Sequence, residues 1–112
     1  MKREDTVRAT YDAYNARDLP LALAQLAPDV NWDDGKGNMI EGKDAVAKHW
    51  TDQWREADAK VEIERLAWHG AELRLAGLLD VRKADGSRGQ SRLLNTLSFS
   101  GDLIRSMRIA VA

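Results

Sequence analysis

Leu73-Arg74-Leu75-Ala76-Gly77-Leu78-Leu79-Asp80-Val81-Arg82, then Asp85-Gly86, then Leu93-Leu94-Asn95-Thr96-Leu97-Ser98-Phe99, is the stretch that decides the fold. Leu73, Leu75, Gly77, Leu79 and Val81 share one face of a period-two pattern, opposite Arg74, Asp80 and Arg82. Asp-Gly is a strong hairpin turn signal, because Gly accepts the positive φ that a tight reversal requires. The strand that follows sets Leu93, Asn95, Leu97 and Phe99 on one side. Upstream, residues 60–69 begin with Val61 and Ile63 on one face and finish with Leu66 and Trp68 on the other. That parity switch predicts a bulge near Arg65. Gly70 marks the turn between these two strands. Downstream, Gly101-Asp102 turns the chain into a last strand carrying Met107, Ile109 and Val111.

Working back towards the N-terminus, the spacing becomes helical. Val7, Thr10, Tyr11 and Tyr14 recur at three- and four-residue intervals, predicting a helix over residues 6–17 capped by Asp5 or Thr6. Asn15-Ala16-Arg17-Asp18 breaks it. Pro20 suits the first turn of a second short helix, Pro20–Leu26, which Pro28 ends. Val30-Asn31-Trp32-Asp33-Asp34 alternates as a short strand, with Val30, Trp32 and Asp34 on one face. Residues 35–38 read as a loop, and a third helix after Gly42 carries Val46, Trp50, Gln53 and Trp54 on or near one face. Three helices followed by a meander of long strands predict an α+β domain. The helices pack on one face of a curved, mainly antiparallel sheet, and sheets of this length curl. The enclosed interior is a cone, as either a solid core or a pocket.

Composition narrows the function classes. The 112 residues match one domain, here residues 1–112. Lys+Arg 17 against Asp+Glu 18 gives a net charge of −1 and a pI near 6.1, which argues against a nucleic-acid footprint. No run approaches the ~18 apolar residues of a membrane span, so no membrane partner is expected. There is no cysteine, which removes disulfides, thiolate nucleophiles and Cys-based zinc sites together. The charged start Met1-Lys2-Arg3-Glu4-Asp5-Thr6 lacks a signal-peptide core, and a cytoplasmic location is expected.

Several side chains could carry chemistry. Strand alternation turns Asp34 towards the interior beside Trp32, where desolvation would raise its pKa and make it a candidate general base. The competing reading is a polar strand end entering the Gly35 turn. Asn95 stands between Leu93 and Leu97 on an apolar face, so its amide either supplies an N–H to a developing oxyanion or bonds a neighbour. Phe99 shares that face. Trp32, Trp50 and Trp54 either wall a pocket for a bulky apolar ligand or form an aromatic core. His49 borders the Val46/Trp50 stripe, as an accessory acid or base or as a surface histidine. His49 and His69 are the only histidines and lack any metal-ligand spacing, so neither a metal nor a cofactor is expected.

The local sequences also resemble the nuclear transport factor 2-like superfamily, in particular small domains grouped with the SnoaL-type polyketide cyclases and ketosteroid isomerases. Tyr14-Asn15-Ala16-Arg17-Asp18-Leu19 is similar to the superfamily's Asn-x-Gly-Asp helix break, with Arg17 at the usual Gly. Residues 26–34 resemble its Leu-x-x-Asp-Val-x-Trp-x-Asp stretch, and Glu41-Gly42-Lys43-Asp44-Ala45-Val46 the start of its third helix. The resemblance implies a cone-shaped α+β barrel, Asp34 as base and Asn95 at an oxyanion-donor position. It further implies Thr10, or nearby Tyr14, as the second donor. Asn95 replaces an acid and Thr10 a tyrosine, which counts against steroid isomerisation specifically.

Two function classes remain. One is a cofactor-independent isomerase, cyclase or dehydratase, in which Asp34 removes a proton from a small apolar carbonyl compound. The other is a non-catalytic binding or dimerisation module. A homodimer is expected on either reading: Leu78, Leu94 and Ile104 alternate with Arg74, Arg92 and Arg108 on the outward strand faces.

Overall fold

The computed structural model describes residues 2–110. Helix α1 (Arg3–Asn15) begins earlier than expected, with Glu4 and Asp5 in its first turn where acidic side chains suit the helix dipole. It buries Thr6, Val7, Thr10, Tyr11, Ala13 and Tyr14. Its exit is a left-handed residue: Arg17 has φ 56°, and the Asp18 N–H returns 2.8 Å to the Ala13 carbonyl. Helix α2 (Leu19–Leu23) is capped by Asp18, whose carboxylate accepts from the Leu21 N–H at 3.2 Å.

That helix stops before Leu26, which instead opens strand β1 (Leu26–Asp33) and pairs with Ile104. Pro28 therefore lies inside a strand rather than beyond a helix. A register shift between Leu26 and Asn31 relieves the ladder around it. The stretch after the Gly35 loop forms a short strand absent from the sequence reading, β2 (Met39–Glu41), paired with residues 31–33 of β1. Three residues are too few to show a period. Helix α3 (Lys43–Glu56) follows Gly42 and buries Val46 and Trp50.

Strands β3 (Ala57–His69), β4 (Glu72–Lys83), β5 (Arg88–Ser100) and β6 (Leu103–Ile109) complete a sheet in the order β2-β1-β6-β5-β4-β3. Among the described residues, β1 and β6 alone pair in parallel. The expected meander is present. The sheet does not close into a barrel, because β2 and β3 remain as its edges. Val111 lies outside the described residues.

Two further irregularities shape the sheet. The register of β3 on β4 shifts between Ile63 and Arg65, where the sequence predicted a bulge. The register of β5 on β6 shifts between Ser98 and Phe99, and this one the sequence reading missed. Its effect is to turn Ile104 inwards with Met107, so Ile104 is fully buried and cannot belong to an outward apolar stripe. The edge strand β3 is covered in part by a side chain. The Asn15 amide donates to the Val61 carbonyl and accepts from the Val61 N–H, both at 2.8 Å, as a paired strand would.

The core lies between the helices and the concave sheet face. It joins Val7, Tyr11 and Tyr14 of α1 to Val46 and Trp50 of α3, and to Leu73, Leu75, Leu97 and Ile104 of the sheet.

Candidate ligand cavity

An aromatic chain fills much of the cone. The Trp32 and Trp50 rings meet edge to face at 5.2 Å, Tyr14 meets Trp50 at 5.9 Å, and Tyr11 lies 6.5 Å from Trp32. These rings do not fill it entirely. A cavity of about 160 Å³ remains between α1, α3 and the sheet. Trp32, Trp50, Leu79, Leu93, Met107 and Ile109 give it apolar walls. The interior is thus a core with a pocket in it.

The polar groups of this cavity fall into two sets. Deep inside, Asn95 is 3% exposed and its Nδ2 donates to the Tyr11 hydroxyl at 2.8 Å. Its Oδ1 is buried without a hydrogen-bond partner among the described residues. Burial pushes the Tyr11 phenol well above the usual tyrosine range, so its proton stays on at any ordinary pH. Thr10 and Tyr14 also line the cavity, but their protons point elsewhere. The Thr10 hydroxyl donates to the Thr6 carbonyl at 2.7 Å, and the Tyr14 hydroxyl to Gln53 Oε1 at 3.2 Å. Burial raises the Tyr14 phenol to about 12.

At the mouth stand Asp33, Asp34, Gly35 and His49. Here the structure corrects the sequence reading. Asp34 Oδ1 accepts from the Lys36 N–H at 2.7 Å and the Asn38 N–H at 3.1 Å, and Oδ2 from Asn38 Nδ2 at 3.2 Å. These donors, led by the Lys36 amide, lower the Asp34 pKa instead of raising it. Desolvation opposes them and loses. The carboxylate touches the cavity while organising the loop over residues 34–38. Asp33 ties the same strand end to β6, accepting from the Ile109 N–H at 3.0 Å. His49 is half-buried, and burial lowers its pKa against the pull of Asp34. The imidazole is neutral at neutral pH.

Two expected site residues lie off the cavity. Trp54 packs behind its wall, 5.5 Å from Tyr14 and 6.5 Å from Trp50, because its step along α3 carries it past the rim. Phe99 lies near the end of β5, opposite Ile104, against Trp68 at 5.8 Å and under the Arg3 guanidinium at 5.2 Å. The residue the sequence reading missed is Tyr11. It was visible on the buried helix stripe, and Asn95 was the one amide predicted on the inward sheet face. A buried phenol and a buried amide each need a partner, and that mutual need was the available signal. Among the described residues, no group of three His, Cys, Asp or Glu could hold a metal ion. Among the same residues no helix is long and apolar enough to cross a membrane.

A model of the SnoaL-like domain matches residues 7–107. The chain belongs to the SnoaL-like family. No curated protein matches it. Among solved structures it is similar to a nuclear transport factor 2-like protein of unknown function from Burkholderia pseudomallei, at 23% identity and a TM-score of 0.87, covering 100% of this chain and 92% of that one. A candidate polyketide cyclase from Xanthomonas campestris matches at 17% identity and a TM-score of 0.89, covering 98% and 90%. A Mycobacterium tuberculosis protein, solved in complex with estradiol-17beta-hemisuccinate, matches at 20% identity and 0.87, covering 100% and 95%. At these identities the structural likeness is one of fold, and a SnoaL-like fold hosts chemistry only through its site.

Proposed function

We propose that this SnoaL-like domain binds a small, single-ring apolar molecule in the cavity beneath α1 and α3. The carrying observation is the cavity's size and lining. An engineered apolar cavity of about 150 Å³ holds benzene, whereas sites for drug-sized ligands run from roughly 300 to 1,000 Å³. At about 160 Å³ the space suits one ring and not four fused ones. The complex of the M. tuberculosis neighbour with a steroid ester supports small-molecule binding by a protein of this fold. The aromatic rings of this chain argue for a smaller ligand.

A second reading, catalysis, is favoured by the pairing of Asp34 with His49 at the mouth. The ionised Asp34 carboxylate and the neutral His49 imidazole are each able to accept a proton from a bound carbonyl compound. With Asp34 held by three donors, binding is the better supported reading. The homodimer belongs to the same proposal. Its support is Leu94, 41% exposed on β5 between strands that carry Arg74 and Arg108. So does a cytoplasmic location, with which the lack of cysteine is compatible.

Thermal shift with single-ring compounds and with a steroid tests the size argument. A ligand at 100 times its Kd stabilises by about 2.7 kcal/mol, which is readily measured. Single-ring compounds are expected to raise Tm and the steroid is not. A steroid that raises Tm while every single-ring compound fails would overturn the reading.

A further inference from the structure

We propose that the cavity selects a ring bearing a phenolic or enolic hydroxyl, which donates its proton to Asn95 Oδ1 and accepts one from the Tyr11 hydroxyl. This rests on the reading that the cavity binds a single-ring molecule, and it names the chemical class of that molecule.

One buried polar atom of the cavity wall is unsatisfied among the described residues. Asn95 is 3% exposed, lines the cavity, and commits one amide proton to Tyr11 at 2.8 Å. Its Oδ1 is buried and has no partner among the described residues. A buried acceptor left unmade costs about 1–3 kcal/mol, so a ligand that brings a donor to it recovers that cost. Tyr11 supplies the complement. Its oxygen already accepts from Asn95, so its own proton is free to be donated.

One hydroxyl satisfies both. Tyr11 donates to the ligand oxygen, the ligand hydroxyl donates to Asn95 Oδ1, and Asn95 Nδ2 donates to Tyr11, closing a ring of three hydrogen bonds that polarise one another. A ketone, an ether or a hydrocarbon closes no such ring, because none of them has a proton to give. A carboxylate brings no proton either and would be desolvated against Trp32 and Trp50. Gln53, the other amide lining the cavity, spends its Oε1 on the Tyr14 hydroxyl. The protons of Thr10 and Tyr14 are committed to the Thr6 carbonyl and to Gln53.

Phenol, anisole and toluene are the probes, each titrated into the wild-type protein by calorimetry or competition. They share one ring and differ in what they bring: a donor with an acceptor, an acceptor alone, and neither. The expected order is phenol tightest, by roughly tenfold over both others, the equivalent of about 1.4 kcal/mol. In Asn95→Leu the advantage of phenol is lost while toluene still binds, and toluene binding itself reports that the variant is folded. If that variant does not fold, the wild-type order decides alone. Toluene or anisole binding as tightly as phenol overturns the selection of a hydroxyl and leaves the single-ring cavity standing. Failure of all three to bind overturns the cavity reading and this proposal with it.

Discussion

Asp34 loses its proton more readily than a free aspartate because three donors of the 34–38 loop face its two oxygens. The sign for stability follows from linkage. A folded-state pKa below the unfolded value of about 3.9 stabilises at all pH above that value, and the benefit is lost as pH falls through the folded pKa. Asp34→Asn is therefore expected to lower the urea midpoint at about pH 7, with the wild-type and variant curves converging towards about pH 3. A variant more stable than wild type near neutrality would restore a desolvated carboxylate. His49 has the same sign: its lowered pKa makes the fold lose stability as pH falls below about 6.5, and His49→Gln should flatten that limb. Arg17 is the second informative residue. The resemblance marked its position as one normally held by Gly, and its φ of 56° gives the reason, since a Cβ is disfavoured in the left-handed region. Arg17→Gly is expected to stabilise by about 1 kcal/mol. The exposed ion pair it forfeits with Asp58, at 3.4 Å, is worth little. Denaturant midpoints of the two proteins check this.

At the scale of elements, the strands were legible wherever one face repeats without interruption. In β4, alternation of Leu73, Leu75 and Gly77 reproduces the burial pattern, and the parity switch in β3 located its bulge. The irregularity between β5 and β6 lies on β6, where the two steps from Ser106 to Ile104 face the single step from Ser98 to Phe99. It escaped because Ile104 alone departs from the parity of Met107 and Ile109, and with it went the placement of Ile104. The bulge in β3 has a consequence for its neighbour. A Cβ at Gly77 would lie 2.1 Å from the Glu62 carbonyl oxygen, a backbone atom with no room to retreat. Gly77→Ala is expected to destabilise by roughly 1–3 kcal/mol, the range of overpacked cores, with the loss read as a lower Tm. An unchanged Tm would show that β3 yields there without cost. Gly35, despite its positive φ of 78°, has its nearest Cβ neighbour at 3.7 Å. Its constraint is the turn alone.

For the whole molecule, an amphipathic helical half and an alternating sheet half sufficed to specify which faces enclose the interior. They could not specify how much of it stays open. That depends on how Tyr14, Trp32 and Trp50 pack edge to face, which is a matter of rotamers and not of period. The Tyr11–Asn95 pair was hidden for a related reason, since it joins α1 to β5 across 84 residues of sequence. On the outside, the proposed dimer would cover Leu94, and light scattering at micromolar concentration is expected to give about twice the 12.5 kDa chain mass. A monomer would leave Leu94 as an ordinary exposed side chain. The claim on which the rest depends is that a single ring enters the cavity between Tyr11, Trp32, Trp50 and Asn95. Amide and indole chemical-shift changes during a phenol titration of isotope-labelled protein test it most directly. The account predicts saturable shifts centred on the Trp32 and Trp50 indoles and the Asn95 side-chain amide. Shifts confined to the polar cleft around Arg8, Lys60 and Arg88, or no saturable shifts at all, would contradict it.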